Sequence, residues 1–235
     1  MHRRTIFILI IASVLIFMIL ELTGVIWHND WLAADYEVKG LDISHHQGVI
    51  DWKTVQEKNE FAFIYMKATE GHDFIDPRFK TNWEEAQNQG FRVGAYHFFS
   101  MRSPGKVQAS NFIQTVPVKQ ETLPPVIDIE IHLKHDPGKV RQELQSLADE
   151  LEKHYRKRPI FYVTYDTYEQ YIKGYFEDYD LWIRDIFKHP ALEDRNWLIW
   201  QYSCRERVDG IDGFVDINAF HGNWEAFKKK FLIHK

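Results

Sequence analysis

Apolar positions along this chain follow two patterns. The first is a single unbroken run. After Met1-His2-Arg3-Arg4, positions 6–20 are apolar with Ser13 as the one weak interruption, and Glu21 and Leu22-Thr23-Gly24-Val25-Ile26-Trp27 follow. A basic start ahead of an apolar run is the layout of a signal peptide or a signal anchor. As a helix the run spans only ~22 Å, and extension through Trp27 brings it to roughly 33 Å, enough for a hydrocarbon core of ~30 Å. Cleavage after Ala34 would set Leu32 at the third-last position, and cleavage after Ala33 would set Trp31 there, where a small residue is wanted. The expectation is therefore an uncleaved transmembrane anchor over 5–27. Residues 1–4 would be cytoplasmic by the positive-inside rule, and the rest of the chain would face the periplasmic or extracellular side of the cell membrane. Secretion after signal cleavage is the alternative.

The second pattern begins after a polar linker, 28–37. Short β-like apolar runs recur at 38–43, 61–68, 92–98, 125–130, 159–164, 180–184, 197–202 and 214–218. Helical patterns lie between them. Asp51 is placed to cap a helix reaching Asn59. Asp76-Pro77 sets a capping acid before a first-turn proline, with Gly90 as the stop, and Asp136-Pro137 opens a longer helix to Tyr155 in the same way. A further helix covers 104–115, and Asp166 is expected to cap a short one. Strands alternating with helices imply a parallel sheet covered by helices. About eight strands, with short connections late in the chain, predict an α/β protein: an irregular, single-domain, TIM-like (β/α)-barrel with fewer helices than strands. The barrel domain is expected over 38–227, with a basic tail at 228–235.

Composition narrows the function classes. Lys plus Arg is 29 against 34 Asp plus Glu, a formal net charge of −5, which argues against a nucleic-acid binder that works by neutralising phosphates. The single cysteine, Cys204, excludes an intrachain disulfide and cysteine-clustered zinc, and is expected to be structural. Aromatic residues make up 15%, which fits a packed core or a sugar-stacking surface.

Carboxylates recur at the predicted strand ends, where a parallel barrel gathers its chemistry. They are Asp42, Glu70, the Asp128-Ile129-Glu130 element and Asp216. With period-two alternation, Asp128 and Glu130 share a face, their Cα atoms ~6.6 Å apart. Two such acids repel when both are charged, so one pKa rises toward the range a general acid needs.

Longer motifs surround these acids. Gly40-Leu41-Asp42-Ile43-Ser44-His45-His46-Gln47-Gly48-Val49-Ile50-Asp51-Trp52 comes first, then Phe63-Ile64-Tyr65-Met66-Lys67-Ala68-Thr69-Glu70-Gly71. Asp76-Pro77-Arg78-Phe79, Trp83, Gly94-Ala95-Tyr96-His97-Phe98 and Asp128-Ile129-Glu130 follow. Trp200-Gln201-Tyr202-Ser203 and Gly210-Ile211-Asp212-Gly213-Phe214-Val215-Asp216-Ile217-Asn218 complete the series. In this order, over 38–222, the chain resembles the family-25 glycoside hydrolases, the lysozyme-like N-acetylmuramidases. The resemblance implies hydrolysis of the β-1,4 bond between N-acetylmuramic acid and N-acetylglucosamine in peptidoglycan. It implies Glu130 as general acid, Asp128 as its companion, and Asp42 and Asp216 as further acids of the cleft, with no metal or cofactor. The D-x-E layout also resembles that of chitinases and hexosaminidases, in which the substrate's own 2-acetamido oxygen attacks the anomeric carbon.

Secondary candidates are weighed against core packing. Tyr96, Tyr162, Trp182 and Trp200 suit either sugar platforms or the barrel interior, and Tyr96 is favoured by its motif. Lys67 and Glu70 suit an ion pair near the cleft or direct substrate contact, and Gln201 belongs to a family motif. His45 and His46, as neighbours, are expected to point apart and not to bind metal. His132 and His135 read as loop residues. Two features depart from the family: Arg184-Asp185 stands where a small residue is common, and the loop 187–195 is unusual. The expected partners are peptidoglycan and, through the N-terminal helix, the membrane, with the chain a monomer. A non-catalytic glycan-binding barrel and a hydrolase of another amino-sugar polymer are the competing readings.

Overall fold

The computed structural model describes residues 2–119 and 121–231. Its elements are α1 (His2–Leu22), α2 (Asn29–Leu32), β1 (Lys39–Ile43), α3 (Trp52–Lys58), β2 (Phe63–Glu70), β3 (Phe74–Ile75), α4 (Phe79–Asn88) and β4 (Arg92–Phe98). Then come α5 (Gly105–Thr115), β5 (Val126–Asp128), α6 (Pro137–Tyr155), β6 (Ile160–Val163), α7 (Tyr165–Thr167), β7 (Leu181–Arg184), β8 (Ile199–Glu206), β9 (Val215–Phe220) and α8 (Trp224–Phe231).

Eight of the strands close a barrel. Pairing runs β1-β2-β4-β5-β6-β7-β8-β9 and back to β1, and β3 only extends the far end of β2 as a hairpin. These eight correspond to the eight predicted runs. The pairing is parallel from β1 through β8, but β9 is antiparallel to both of its neighbours, so the all-parallel expectation fails at the closure. The reason is the connection. No helix intervenes between β8 and β9, so the chain turns straight back, whereas a parallel return needs a crossover of a dozen or more residues.

Period-two alternation sorts the core into two layers. Ile64 and Met66, Ile127 and Ile129, Phe161 and Val163, and Leu181 and Ile183 point outward into the layer beneath the helices. Phe63 and Tyr65, Val126, Ile160 and Tyr162, and Trp182 fill the barrel. The end opposite the mouth is plugged by α8. Phe227 stacks on Phe63 at 5.8 Å between centroids, and Phe231 lies 5.8 Å from Phe220. Residues 228–231 therefore complete a packed helix rather than begin a tail, because Phe227 and Phe231 repeat at helical spacing and both are buried. The remainder of the expected tail, 232–235, lies outside the described residues, as does Met1 of the expected 1–4 segment.

Other boundaries differ for local reasons. Asp76 does not cap α4. Its carboxyl takes the His45 and Arg78 backbone N–H groups, at 2.9 Å each, and the helix starts at Phe79. The short helix after β6 is capped by Thr164 rather than Asp166, through a reciprocal bond with Thr167, and runs on as a π-helical turn over Tyr168–Ile172. Asp51 and Asp136 cap α3 and α6 as expected, accepting from the N–H groups of Thr54 and Lys139. Strand β5 stops at Asp128, so Glu130 stands just past the strand end.

Helix α1 is long and apolar enough to cross a membrane, and among the described residues its apolar window is not buried. Its 21 residues span ~31 Å. It begins at His2 and ends at Leu22, short of the expected Trp27. That indole is instead buried against the barrel, where it donates to the Tyr202 carbonyl at 2.9 Å. The expected linker is likewise not free, since it contains α2 and the buried residues Asn29 and Ala33.

Helices α5 and α6 meet backbone to backbone at Gly105. Its N–H donates to Glu143 Oε2 at 2.6 Å, and a Cβ there would stand 2.0 Å from the Glu143 carbonyl oxygen. A Gly105→Ala substitution should therefore push the two helices apart and cost about 1–3 kcal/mol. Denaturant unfolding of the full chain in detergent, followed by near-ultraviolet circular dichroism, checks this; an unchanged midpoint would mean that the helices can yield without penalty.

Candidate active site

The mouth of the barrel, at the C-terminal ends of the parallel strands, holds a cavity of about 210 Å³. Asp42 from β1, Lys67 from β2, Tyr96 and Phe98 from β4, Val126 and Asp128 from β5, Tyr162 from β6, Trp182 from β7 and Asp216 from β9 line it, with Glu130, Ser44 and His46 from the adjoining turns. Eight of the ten candidate residues thus meet in one place. Glu70 and Gln201 do not line the cavity. Glu70 is half-exposed and accepts from Lys67 Nζ at 2.7 Å, while Gln201 is buried and accepts the Tyr162 hydroxyl at 2.5 Å.

Register explains the convergence of acids. Asp42 and Asp216 are direct partners in the antiparallel β1–β9 pair, so their side chains emerge side by side on the interior face. Their carboxyls share a hydrogen bond. Asp42 is also held from behind: Trp182 Nε1 donates to Asn218 Oδ1 at 2.9 Å, and Asn218 Nδ2 donates to Asp42 Oδ2 at 2.7 Å. Trp182 is almost fully covered and acts on the site through its N–H. Tyr162 packs edge-on to it at 5.4 Å.

Burial dominates the electrostatics. Desolvation, then the Asp216 charge, raises Asp42 well above the ordinary carboxylate range. Desolvation, then the Glu130 charge, raises Asp128 well above it, with Lys67 opposing. Desolvation lifts Asp216 to about 6, against the Asp42 hydrogen bond and Arg184. Glu130 is also raised by desolvation, but Arg184 Nε lies 4.0 Å from its Oε1 and pulls the other way. Glu130 is the most open of the four, its side chain 35% exposed. The Glu130 backbone N–H faces the Asp128 carboxyl as a donor, yet Asp128 Oδ1 is buried with no hydrogen-bond partner in the protein. A buried, unpaired acceptor beside a cavity is a costly arrangement unless a ligand completes it.

Four lining residues lie outside the candidates: Phe98 and Val126, which are apolar, and Ser44 and His46, which are polar. Ser44 and His46 sit on a single 3-10 turn, His45–Gln47, closed by a capping box between Ser44 and Gln47. The Ser-x-x-Gln spacing is a sequence signal for that turn. It also brings the two imidazoles to 4.1 Å, where adjacent residues were expected to point apart. His45 turns away from the cavity to Asp76, Nδ1 to Oδ2 at 2.7 Å. Trp200, the remaining platform candidate, is fully buried on the outer layer, and its indole donates to the Asp185 carbonyl. His132 and His135 lie in the turn before α6.

Comparison with known proteins agrees with this geometry. The family model described as Glycosyl hydrolases family 25 matches residues 41–211. A family 25 glycosyl hydrolase structure from Bacillus anthracis superposes with a TM-score of 0.80 at 41% identity, covering 84% of this chain and 94% of that one. Lysozyme M1 of Streptomyces globisporus is 32% identical over 206 residues, 79% of this chain and 68% of its own length. Protein YegX of Escherichia coli strain K12, itself described as uncharacterized, is 36% identical over 202 residues, 84% of this chain and 74% of its own.

The raised acids have a consequence for stability. The folded chain keeps protons on Asp216 between its unfolded value of 3.8 and about 6, where the unfolded chain has released them. Stability should therefore be fully present below pH 4 on this account and fall as pH rises toward 6. Asp216→Asn should flatten that slope, by on the order of 2 kcal/mol between pH 4 and 7. Melting temperature against pH for the two proteins is the measurement; parallel curves would show that Asp216 ionises as readily folded as unfolded.

Proposed function

The chain belongs to glycosyl hydrolases family 25, and on that premise we propose that it is a membrane-anchored, outward-facing muramidase that cleaves the β-1,4 bond between N-acetylmuramic acid and N-acetylglucosamine in peptidoglycan. That it is a glycoside hydrolase follows from the family match, and the lysozyme among its relatives supports the muramidase reading. The anchor is α1, with residues 1–4 on the cytoplasmic side and a catalytic domain over 38–227. Its support is the length and apolarity of α1, whose apolar window is exposed among the described residues.

One observation carries the chemistry. Asp128 and Glu130 open on the same cavity, both hold protons more tightly than ordinary carboxyls, and Asp128 has a buried oxygen with no partner. In the proposed reaction Glu130, the more accessible acid, gives its proton to the glycosidic oxygen as the bond to the anomeric carbon breaks. The substrate's 2-acetamido oxygen attacks that carbon from the opposite face and forms a cyclic intermediate. Asp128 accepts the acetamido N–H and balances the positive charge that develops there. Glu130, now a carboxylate, takes a proton from water as that water opens the ring, and the original configuration is restored. Asp42 and Asp216 supply electrostatic support, with Tyr96 and Lys67 as sugar contacts. Tyr162, Trp182, Gln201 and Glu70 position these groups.

Digestion of purified peptidoglycan by the full chain should leave N-acetylmuramic acid at the new reducing ends with the anomeric configuration retained. Glu130→Gln should lower turnover by about 10²–10⁴-fold. Mass spectrometry and nuclear magnetic resonance of the products read both. N-acetylglucosamine at the new ends refutes the bond assignment, and an inverted anomer rules out acetamido participation. Because Arg184 holds the Glu130 pKa down, Arg184→Gln should move the alkaline limb of kcat/KM to higher pH; an unmoved limb would mean that another group sets it.

A further inference from the structure

The segment between α1 and β1 is a strap bound to one particular end of the barrel. Asn29 Nδ2 donates to the carbonyls of Asp185 and Tyr202 at 3.2 and 2.9 Å. His28 Nε2 meets the Phe187 carbonyl at 2.9 Å, and its Nδ1 meets Glu21 at 3.1 Å. From the barrel side, Arg205 donates to the Leu22 carbonyl at 2.6 Å, and Arg207 to the Thr23 carbonyl at 3.2 Å. These cations satisfy carbonyls that a helix C-terminus otherwise leaves unpaired. Gly24, at φ +66°, passes so close that a Cβ would lie 2.2 Å from the Arg205 carbonyl oxygen. The end of α1 is thus seated on the protein, not tethered to it.

The seat is on the mouth side. Asp185 and Phe187 directly follow the end of β7, and Arg205 lies near the end of β8, which runs parallel to β7. The strand ends that carry the acids open on this side. Gln47 Nε2 donates to the Phe214 carbonyl at 3.1 Å, which joins this rim to the turn that carries His46. The same rim exposes large apolar side chains: Trp31 at 71%, Phe187 at 70% and Leu32 at 44%. Trp31 folds back along α1, its ring 6.3 Å from that of Phe17. Phe17 lies five residues before the helix end, ~7.5 Å down the axis. If α1 spans a bilayer, Trp31 is at the depth of the lipid boundary, where tryptophan is enriched.

We propose that this rim is a lipid-contacting surface, with Trp31, Leu32 and Phe187 inserted at the headgroup boundary of the bilayer that α1 crosses. Lys188, next to Phe187 in the chain, and Arg207, on the Thr23 carbonyl, are the cations offered to anionic headgroups. The proposal rests on the anchor reading above. It places the cleft against the membrane, so the substrate within reach is glycan lying at the bilayer surface rather than wall farther out.

The test uses the full chain with Cys204→Ser and a single cysteine at Trp31→Cys, Phe187→Cys or, on α5 as control, Val107→Cys. Each is given a polarity-sensitive fluorophore and reconstituted into phosphatidylethanolamine/phosphatidylglycerol vesicles, with and without nitroxide-labelled lipid. The expected result is blue-shifted emission at positions 31 and 187, quenched by nitroxide lipid several-fold more than at 107. Emission at 187 that matches 107 and is quenched by aqueous iodide overturns the proposal while leaving the anchor intact. Shielding at 187 that persists in detergent and depends on protein concentration also overturns it, in favour of a second copy of the chain. Protein that washes off the vesicles in alkaline carbonate refutes the anchor reading itself.

Discussion

The structure is organised around the cost of putting several carboxyl groups, most of them buried, around one cavity. Asp42 and Asp216 are forced together by the β1–β9 register, and Asp128 faces the same space from β5. Left to itself such a set would expel its charges or draw in solvent. Here burial raises the pKa of each acid, and neutral donors behind them are fixed by the aromatic filling of the barrel. The chain Trp182–Asn218–Asp42 is the clearest case, in which a core indole sets the orientation of an acid through one amide. Packing inside the barrel and chemistry at its mouth are one structure. A change in how the aromatic rings stack would be transmitted to Asp42 through two hydrogen bonds.

The strands, and the acids at their ends, were legible in the sequence because both depend on local rules. Period-two alternation put Ile127 and Ile129 on one face and Asp128 and Glu130 on the other, and the two packing layers follow that division. What was not legible depends on partners far along the chain. The antiparallel entry of β9 follows from which strands it joins, not from the 214–218 pattern. Residues 28–37 read as a polar linker because Asn29, Asp30 and Asp35 are hydrophilic. Asn29 is nevertheless fully buried, and its Nδ2 donates to two backbone carbonyls, Asp185 just past β7 and Tyr202 within β8. Asp76 showed a capping pattern that the His45 turn pre-empted. Arg184, noted only as a departure from the family, proves to be the cation nearest Glu130.

That cation gives the two halves of the Asp128–Glu130 pair different environments. Asp128 is held in a dry position under the field of Lys67, and Glu130 stands past the strand end, partly in solvent, with Arg184 beside it. Two identical functional groups two residues apart would otherwise compete for the same proton. Separation by environment gives the two carboxyls different solvent access and different neighbouring cations. The short β5 strand assists, because its end at Asp128 frees Glu130 from the ladder and from the covered interior.

The same logic bears on how a glycan reaches the cavity. Four fully ionised acids at the mouth would repel any chain that carries carboxylates of its own, and peptidoglycan stems carry them. Carboxyls with raised pKa values carry less charge at a given pH, and Arg184 and Lys67 oppose what remains. An approach path along a membrane surface would add the negative potential of anionic lipids, which decays within a Debye length of ~8 Å at physiological ionic strength. Arg205 and Arg207 donate to the Leu22 and Thr23 carbonyls where α1 ends. Basic residues there both bind the end of α1 and offset the charge of the surface from which it emerges.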